Sequence, residues 1–561
     1  MSAFQPPVAY FPPELLCEIY MCIHDAQDEI WDAYTDTSWL SVSQVNQHWR
    51  QVTLNCPAFW ARIVFGKPQL AAVMVERARN SPLIIRANDH FNLVQYVCCS
   101  HFANIHDVII QGTYDHINRL YRDIYSSSAL KELTLGSTET LDFGTVIHSD
   151  FLPATPFSSP LRKLTLRGYL LPWTALRFPV LTSLHIHSIE PNAREDGICF
   201  GILHALSTMP LLEHLILEDA LSPIDPTGMK KIQLPNLSYL KLVDNSESLS
   251  QAALLDLPLT TIVEVWCVDC DDVPDVPLIV TQLINRLSHC AWLILCLDDN
   301  CNLDFHMQHT QGVNHLTVHL RPTYGSRSAS YGFLGIFKYL LSKCSPTEIV
   351  SMQLRGITDE QKDSGKPPLR SCCDSLQQWQ SFWHDLFAFT GLRRLHLTRD
   401  IPPLLLETLI CRAFGQLGFT ASRRWRQDDP VLLSITEKYW HTESREILPS
   451  LTHVEFEDID CSSSTPNATD LIFAFVWARR QRRYRISSLT FRNCTTINWH
   501  IIPLLKVLSD CHFFLHSNPP YCVWEEALDL EGLQTYCFTP FRYSLVKLGW
   551  FGWQLPEAED G

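Results

Sequence analysis

A six-residue pattern of apolar and polar positions, L-x-x-L-x-L or a close variant, recurs along most of the chain. Alternating apolar side chains of this kind are typical of a short β-strand that buries one face. The copies starting at Leu161, Leu181 and Leu212 are 20 and 31 residues apart, and the intervals lengthen toward the C-terminus. We therefore predict strands within the copies that start at Ile105, Leu130, Leu161, Leu181, Leu212, Leu237, Val313, Leu392, Leu451 and Ile486.

Apolar segments with helical spacing lie between these strands and predict return helices. They occupy residues 197–209, 277–290, 331–343, 376–390, 404–417, 469–483 and 499–510. A strand followed by a return segment resembles the leucine-rich repeat, in which parallel strands stack and bury their leucines under the following helices. The copies lack the fixed length and the asparagine of regular repeats. The resemblance implies an α/β fold with short parallel strands, in an irregular leucine-rich-repeat solenoid over residues 80–555.

The first sixty residues carry a helical pattern instead. Pro12 and Pro13 predict the start of a helix, because the fixed φ and missing N–H of proline cost nothing in a first turn. Helical spacing separates two sets of apolar residues: Leu15, Leu16, Ile19, Tyr20 and Ile23, then Val42, Val45, Trp49 and Val52. Short helices of about fifty residues in total bury too little surface to be stable alone. We therefore expect them to pack on another surface, in this chain or in a second protein.

The order of these residues resembles the F-box, in the form common to large fungal F-box protein families. The matching positions lie within residues 8–62: Pro12-Pro13-Glu14-Leu15-Leu16, Ile19, Val42-Ser43-Gln44-Val45, Trp49-Arg50 and Trp60. Two features depart from the pattern, since Phe11 replaces the usual leucine and residues 25–37 lengthen the first interhelical loop. The resemblance implies that this segment binds the Skp-type adaptor of a cullin–RING (SCF-type) ubiquitin ligase. It assigns the contacts, or their direct support, to Pro12, Leu15, Leu16, Ile19, Val42, Val45 and Trp49.

Composition and charge limit the classes of protein to which this chain can belong. The chain has 561 residues, of which 46% are hydrophobic and 19% are charged, as in folded globular proteins. Its formal net charge of −16 argues against general nucleic-acid binding, which needs a basic surface. No apolar stretch has the length of a membrane span, and no secretory signal is recognisable. We expect a cytoplasmic or nuclear protein without a membrane partner, with reduced cysteines, a helical domain at 8–62, repeats at 80–555 and an acidic tail at 556–561.

Histidine is frequent at the strand positions that flank the inward-facing leucines, which in a repeat of this kind line the open concave surface. We predict that an unidentified protein target binds there, through His185, His214, Tyr239, His315, Arg394, His396 and His453. A histidine-lined face would bind an acidic or phosphorylated ligand, or a metal ion, and its affinity for an acidic ligand would rise as the pH falls from about 7.5 to 6. The alternative is an ordinary exposed strand face that collects histidine.

Two groups of arginines could also bind phosphate or carboxylate. One lies at the end of the predicted helix 469–483 and the other at residues 423–426. A solvated helix end is the plainer explanation for the first group.

The sequence offers no metal site, cofactor site or catalytic motif. No carboxylate or cysteine accompanies the histidines at a fixed ligand spacing, and Cys267-Val-Asp-Cys270 lacks a second ligand pair of zinc-site spacing. Nucleophile-elbow, phosphate-loop, dinucleotide and H-E-x-x-H motifs are missing. We therefore expect no enzymatic activity and interpret the chain as the substrate-recognition subunit of an SCF-type ligase. Two alternatives are a non-ligase leucine-rich-repeat interaction protein with a helical N-terminal cap, and a hydrolase or transferase whose site the sequence does not reveal.

Overall fold

The structure is a computed structural model with a mixed α/β architecture. It describes residues 11–27, 38–87, 91–113, 129–137, 160–168, 173, 178–187, 198–221, 230–268, 270, 276–286, 291–297, 303–308, 314–321, 336, 339–355, 388–398, 448–459, 472, 475–476, 479, 484–492, 494 and 505. The chain divides into two compact units. The first contains residues 1–268 and 277–279, and the second contains residues 269–276 and 280–561.

The first unit is built on a parallel sheet. Its strands are β1 (Arg62–Val64), β2 (Leu83–Ala87), β3 (Ile105–Gly112), β4 (Glu132–Ser137), β5 (Lys163–Arg167), β6 (Ser183–His187), β7 (His214–Glu218), β8 (Ile232–Gln233), β9 (Tyr239–Asn245), β10 (Leu255–Asp256) and β11 (Ile262–Val268). The main sheet has the order β1-β2-β3-β4-β5-β6-β7-β9-β11, and β8 pairs with β10 separately. Neighbouring strands therefore follow one another along the chain, as the repeated pattern predicts.

Helices precede and flank this sheet. The α-helices are α1 (Pro13–Gln27), α2 (Gln47–Asn55), α3 (Pro68–Ala78), α4 (Phe91–His101), α5 (Ile198–Leu206) and α6 (Ser246–Leu249). Short 3₁₀ helices occupy Ser38–Gln44, Pro57–Trp60, Phe102–Asn104 and Ser250–Leu254. Helix α1 begins at Pro13, which confirms the predicted start, and α5 lies within the predicted return helix 197–209.

The alternating leucines of each strand form the core of the sheet. In β6 the burial alternates residue by residue, with Leu184 and Ile186 fully buried and the residues between them half-buried. The same alternation places Leu215 and Leu217 of β7 on the buried face. We call the opposite face, formed by the half-buried residues between the buried ones, the polar face of the sheet. The core is formed by the alternating apolar residues, so the side chains of the polar face are not needed to fill it.

A repeated backbone contact sets the register between strands. The N–H groups of Thr182 and Ser183 both donate to the carbonyl of Arg162, at 2.8 and 2.9 Å. The N–H groups of Glu213 and His214 then both donate to the carbonyl of Thr182. The Thr182 hydroxyl also donates to the Arg162 carbonyl, at 3.2 Å. Each strand therefore starts at the same level as its neighbour, and equivalent residues lie side by side.

The second unit contains a mixed sheet. Its strands are β12 (Trp292–Leu297), β13 (Leu303–Gln308), β14 (Asn314–Leu320), β15 (Ser351–Arg355), β16 (Arg394–Thr398), β17 (His453–Glu457) and β18 (Ser488–Arg492), in the order β14-β13-β12-β15-β16-β17-β18. From β12 through β15 to β18 the strands are parallel. Each of the ten predicted copies, in both units, contains a strand.

The prediction of parallel strands throughout is wrong for part of this sheet. Strand β13 is antiparallel to both β12 and β14. The connecting residues 298–302 and 309–313 are too few for a crossover, which needs about a dozen residues or more. The chain therefore turns back at these points and forms antiparallel hairpins.

Helical residues in the second unit agree with several predicted return helices. Helix α7 (Leu278–Arg286) lies within the predicted return helix 277–290. Residues 339–343, 472, 475–476, 479 and 505 are also helical. The predicted helices 376–390 and 404–417 fall wholly or mostly on residues that the structure does not describe, and the acidic tail at 556–561 lies outside the described residues.

Arg479 is buried, which corrects the interpretation that it lies on a solvated helix end. Its side chain is 4% exposed, and its Nη1 and Nη2 atoms donate to the carbonyls of Leu448 and Leu451 at 2.9 and 2.8 Å. Burial lowers the pKa of this guanidinium to about 10. The guanidinium group binds the carbonyls of the turn that precedes β17, so its role is structural.

Gly391, three residues before β16, lies against the backbone of a neighbouring turn. Its N–H donates to the carbonyl of Pro346 at 3.2 Å. A Cβ atom at this position would lie 2.2 Å from the carbonyl oxygen of Thr347. The turns that precede β15 and β16 can approach this closely only because residue 391 has no side chain.

We expect Gly391→Ala to destabilise the second unit by about 1–3 kcal/mol, because the new methyl group overlaps backbone atoms that cannot rotate away. The measurement is hydrogen exchange of the β15 and β16 amides, which should become faster. Gly136→Ala in β4 is the matched control, because its Cβ would contact the flexible side chain of Gln111 at 3.2 Å. Unchanged exchange in β15 and β16 would contradict the close approach of the two turns.

Candidate functional site

An aromatic cluster holds the N-terminal helices together. The ring of Tyr20 in α1 contacts Trp49 of α2 and Phe59 edge-on, with centroids 5.8 and 5.3 Å apart. The Tyr20 hydroxyl donates to the carbonyl of Trp49 at 3.4 Å, and Trp60 Nε1 donates to the carbonyl of Thr53 at 2.9 Å. These side chains are almost fully buried. The cluster therefore fixes how α1 and α2 present their remaining apolar residues.

The start of α2 is fixed by polar contacts. The Asn46 side chain accepts a hydrogen bond of 2.8 Å from the N–H of Trp49, which is the arrangement of a helix N-cap. Nε2 of His48 lies 3.0 Å from the carbonyl of Phe11, which ties α2 to the residue just before α1.

The residues predicted to bind an adaptor divide into an exposed and a buried group. Leu15 and Val45 are 53% and 57% exposed, and Pro12 is also exposed. Ile19 is half-buried. The remaining three belong to the core: Leu16, Val42 and Trp49. The first group can contact a partner directly, whereas the buried group can only support the helices that present it.

A cluster of ionisable side chains lies on the polar face of the first unit. His185 and His187 are two residues apart on β6, so both side chains lie on the same face. Glu218 of β7 is the register partner of His187. Its Oε2 atom lies 3.4 Å from Nε2 of His185 and 2.7 Å from Nδ1 of His187. Its Oε1 atom accepts a hydrogen bond of 2.7 Å from Nζ of Lys241 on β9.

These contacts set the charges of the cluster. Burial lowers the pKa of His185 and Glu218 raises it, and with the charges of Arg167 and His187 the net shift is downward. Burial raises the pKa of Glu218, but the hydrogen bonds and charges of Lys241 and His185 together hold that pKa below its ordinary value. At neutral pH the cluster therefore contains a neutral imidazole at position 185 beside an ionised carboxylate.

His214 and Tyr239 are neighbours on the same face. They are register partners on β7 and β9, and their ring centroids are 6.4 Å apart. The Tyr239 hydroxyl donates to Oε2 of Glu264 at 2.9 Å. Burial and this hydrogen bond raise the pKa of Tyr239 to about 12, so the phenol stays neutral. Three of the predicted target-binding residues therefore lie on adjacent strands: His185 on β6, His214 on β7 and Tyr239 on β9.

The second unit brings two others together at a cavity. Arg394 and His453 are register partners on β16 and β17, and both line a cavity of about 600 Å³. Other lining residues are Trp292, Ser351, Arg393 and Thr452. Burial, followed by the charge of Arg394, lowers the pKa of His453. At neutral pH the positive charge of the cavity therefore comes from the two arginines.

The two remaining target-binding predictions have different outcomes. His396 lies on the polar face of the second unit, with Nε2 3.0 Å from Oε2 of Glu457 on the neighbouring strand. His315 lies in β14, but its side chain is outside the described part of the structure. The second predicted arginine group, at residues 423–426, also lies outside it.

Sequence reasoning missed the carboxylates that accompany the histidines. Glu218 follows His187 by 31 positions along the chain, so it forms no ligand motif, yet it lies beside it in the sheet. Aligning the copies that start at Leu181 and Leu212 places Glu218 opposite His187. The sequence therefore contained a signal for this pairing. Glu457 lies two residues beyond Glu455, the register partner of His396, so the same alignment does not place it opposite that histidine.

Comparison with known proteins adds no assignment, because no family model and no curated protein matches the chain. In the part of the chain that the structure describes, no helix is long and apolar enough to cross a bilayer.

The lowered pKa of His453 predicts a pH-dependent stability. Unfolded histidines titrate near pH 6.5, and the folded protein binds this proton less readily, so folding becomes less favourable as the pH falls below about 6.5. We expect the melting temperature of the wild type to fall more steeply than that of His453→Gln between pH 7.5 and about 5.5.

A matched variant tests the cause. Arg394→Gln removes the neighbouring cation and should reduce the difference between proteins with and without His453. Parallel melting curves for the wild type and His453→Gln over the whole pH range would contradict the lowered pKa.

Proposed function

We propose that this chain is the substrate-recognition subunit of a cullin–RING ubiquitin ligase of the SCF type. Its N-terminal helices bind a Skp-type adaptor, and its strands bind a protein target. The chain performs no chemistry itself. It holds the target near a ubiquitin-conjugating enzyme elsewhere in the complex and so raises the effective concentration of the target there.

The observation that carries the proposal is the exposure of Leu15 and Val45. Both lie among helices whose aromatic core is closely packed, and yet each is more than half exposed. Transferring such a side chain from water into an interface is favourable by about 1 kcal/mol or more. These two residues occupy positions that the F-box resemblance assigns to the adaptor, and their buried neighbours Leu16 and Trp49 supply a rigid base.

The polar faces of the two units support the target-binding part of the proposal. The cavity beside Arg393 and Arg394 combines two guanidinium groups with the hydroxyls of Ser351 and Thr452. Planar guanidinium groups suit carboxylate and phosphate. We propose that an acidic or phosphorylated segment of the target binds there, and that the complex acts in the cytoplasm or the nucleus.

A second candidate function also has an observation in its favour. The N-terminal helices pack on the segment that leads into the sheet, since the guanidinium of Arg77 in α3 lies 4.5 Å from the ring centroid of Trp60. A helical cap on a leucine-rich-repeat interaction protein would make the same contact. The two functions differ in whether the exposed leucine and valine bind an adaptor.

We expect the wild type to form a 1:1 complex with a fungal Skp-type adaptor, and the double variant Leu15→Ala/Val45→Ala to bind it at least about tenfold more weakly. The measurement is co-expression with the adaptor and size-exclusion chromatography, followed by a dissociation constant from biolayer interferometry. Leu16 is left intact because it is fully buried, and its truncation would cost about 2–5 kcal/mol of folding stability.

The matched control is Leu211→Ala/Leu259→Ala, which truncates two residues that are 45% and 55% exposed elsewhere in the first unit. This variant should bind the adaptor as the wild type does. A wild type that ignores the adaptor, or an unchanged affinity in the Leu15→Ala/Val45→Ala variant, would reject the ligase function and favour the helical cap.

A further inference from the structure

Three side chains on the polar face of the first unit form a group with the composition of a metal site. They are His185 and His187 of β6 and Glu218 of β7. One ligand atom from each lies within 4.8 Å of the other two. Among the residues that the structure describes, these three are the histidine, cysteine and carboxylate side chains whose ligand atoms lie this close together. The geometry points to a binding site for a divalent transition metal ion such as Zn²⁺, held by two imidazoles and one carboxylate.

The strand geometry explains why these three atoms converge. Residues two apart on a strand lie on one face, about 6.4–6.8 Å apart along the chain direction, and parallel strands are about 4.8 Å apart. Glu218 is paired with His187 in the register, so its long side chain can reach both histidines. The shared level of β6 and β7 is set by the paired hydrogen bonds to the Thr182 carbonyl. The backbone hydrogen bonds of the sheet therefore position the three ligand side chains.

The distances suit a transition metal after small movements. With metal–ligand bonds of about 2.0–2.2 Å, tetrahedral ligand atoms lie about 3.4 Å apart. Nε2 of His185 is 3.4 Å from Oε2 of Glu218. Nδ1 of His187 is closer, at 2.7 Å, and this contact lacks the geometry of a hydrogen bond. Rotation of the half-exposed His187 ring would open this contact enough to admit the ion.

Lys241 has a defined place beside the site. Its Nζ atom binds Oε1 of Glu218, whereas Oε2 is the oxygen that faces both imidazoles. A donor on the outer oxygen orients a ligating carboxylate, as hydrogen bonds to metal ligands commonly do. Its charge also weakens the attraction for a cation, so we expect an affinity in the micromolar range rather than that of a closed structural site.

Three protein ligands leave at least one coordination position open. The side chains of His187 and Lys241 are 42% and 27% exposed, so this position is accessible from solvent. Water, or a carboxylate or imidazole of a bound protein, can occupy it. This inference does not depend on the proposed ligase function, because it rests only on the geometry of the cluster.

The experiment counts bound zinc in the full chain. Metal-free protein is dialysed against buffer with micromolar free Zn²⁺, and bound zinc is measured by mass spectrometry. We expect the wild type to bind one equivalent more than either Glu218→Gln or His187→Gln. The matched control is His214→Gln on the same strand as Glu218, which should bind as much zinc as the wild type.

Cobalt distinguishes this site from the cysteines of the chain. Co²⁺ bound by nitrogen and oxygen gives visible bands without the near-ultraviolet absorption of a thiolate–cobalt bond, and this signal should disappear in both cluster variants. If Glu218→Gln does not fold, as judged by its melting curve, His187→Gln decides, because its side chain is substantially exposed. Equal zinc in the wild type and the folded cluster variants would overturn the proposal.

Discussion

A carbonyl at the foot of one strand that accepts two successive N–H groups from the next strand is the contact on which the rest of the structure depends. It recurs in both units, with the carbonyls of Arg162, Thr182 and Glu213 in the first. In the second unit the carbonyls of Val350 and Arg393 accept in the same way. Serine or threonine often adds a hydroxyl donor to the same carbonyl, as Ser238 and Ser487 do. Because this contact fixes where a strand starts relative to its neighbour, it opposes a shift of one residue, which would move the leucines off the buried face.

The same alignment creates the chemistry of the polar faces. Residues that are far apart along the chain become neighbours across the strands. His187 meets Glu218 in this way, and Arg394 meets His453. Burial and neighbouring charges then decide which of these groups are ionised. Both His185 and His453 have lowered pKa values, so their change of charge moves to a lower pH than an exposed histidine would show. At neutral pH these two imidazoles are therefore neutral.

The N-terminal helices obey a different constraint. Here Tyr20, Trp49 and Phe59 form an aromatic core, and Leu15 and Val45 lie outside it and are exposed. Burial of Leu16 and exposure of Leu15 follow from their adjacent positions on one helix, which point in different directions. The proposed adaptor binding and the proposed metal site thus use surfaces of different origin. The proposed adaptor surface consists of apolar residues that lie outside a core. The proposed metal site consists of polar residues that the register of a sheet places side by side.

The sequence alone determined the local elements: ten strands from the spacing of their leucines, the helix that begins at Pro13, and the α/β class. Periodicity suffices there, because the burial of one face is encoded in neighbouring residues. It also singled out His185, Arg394 and His453. Only the tertiary structure decided that β13 runs antiparallel, that Arg479 is buried, and that Glu218 joins two histidines. Those outcomes depend on which strands become neighbours and on what covers each side chain, and both are set by contacts between residues far apart along the chain.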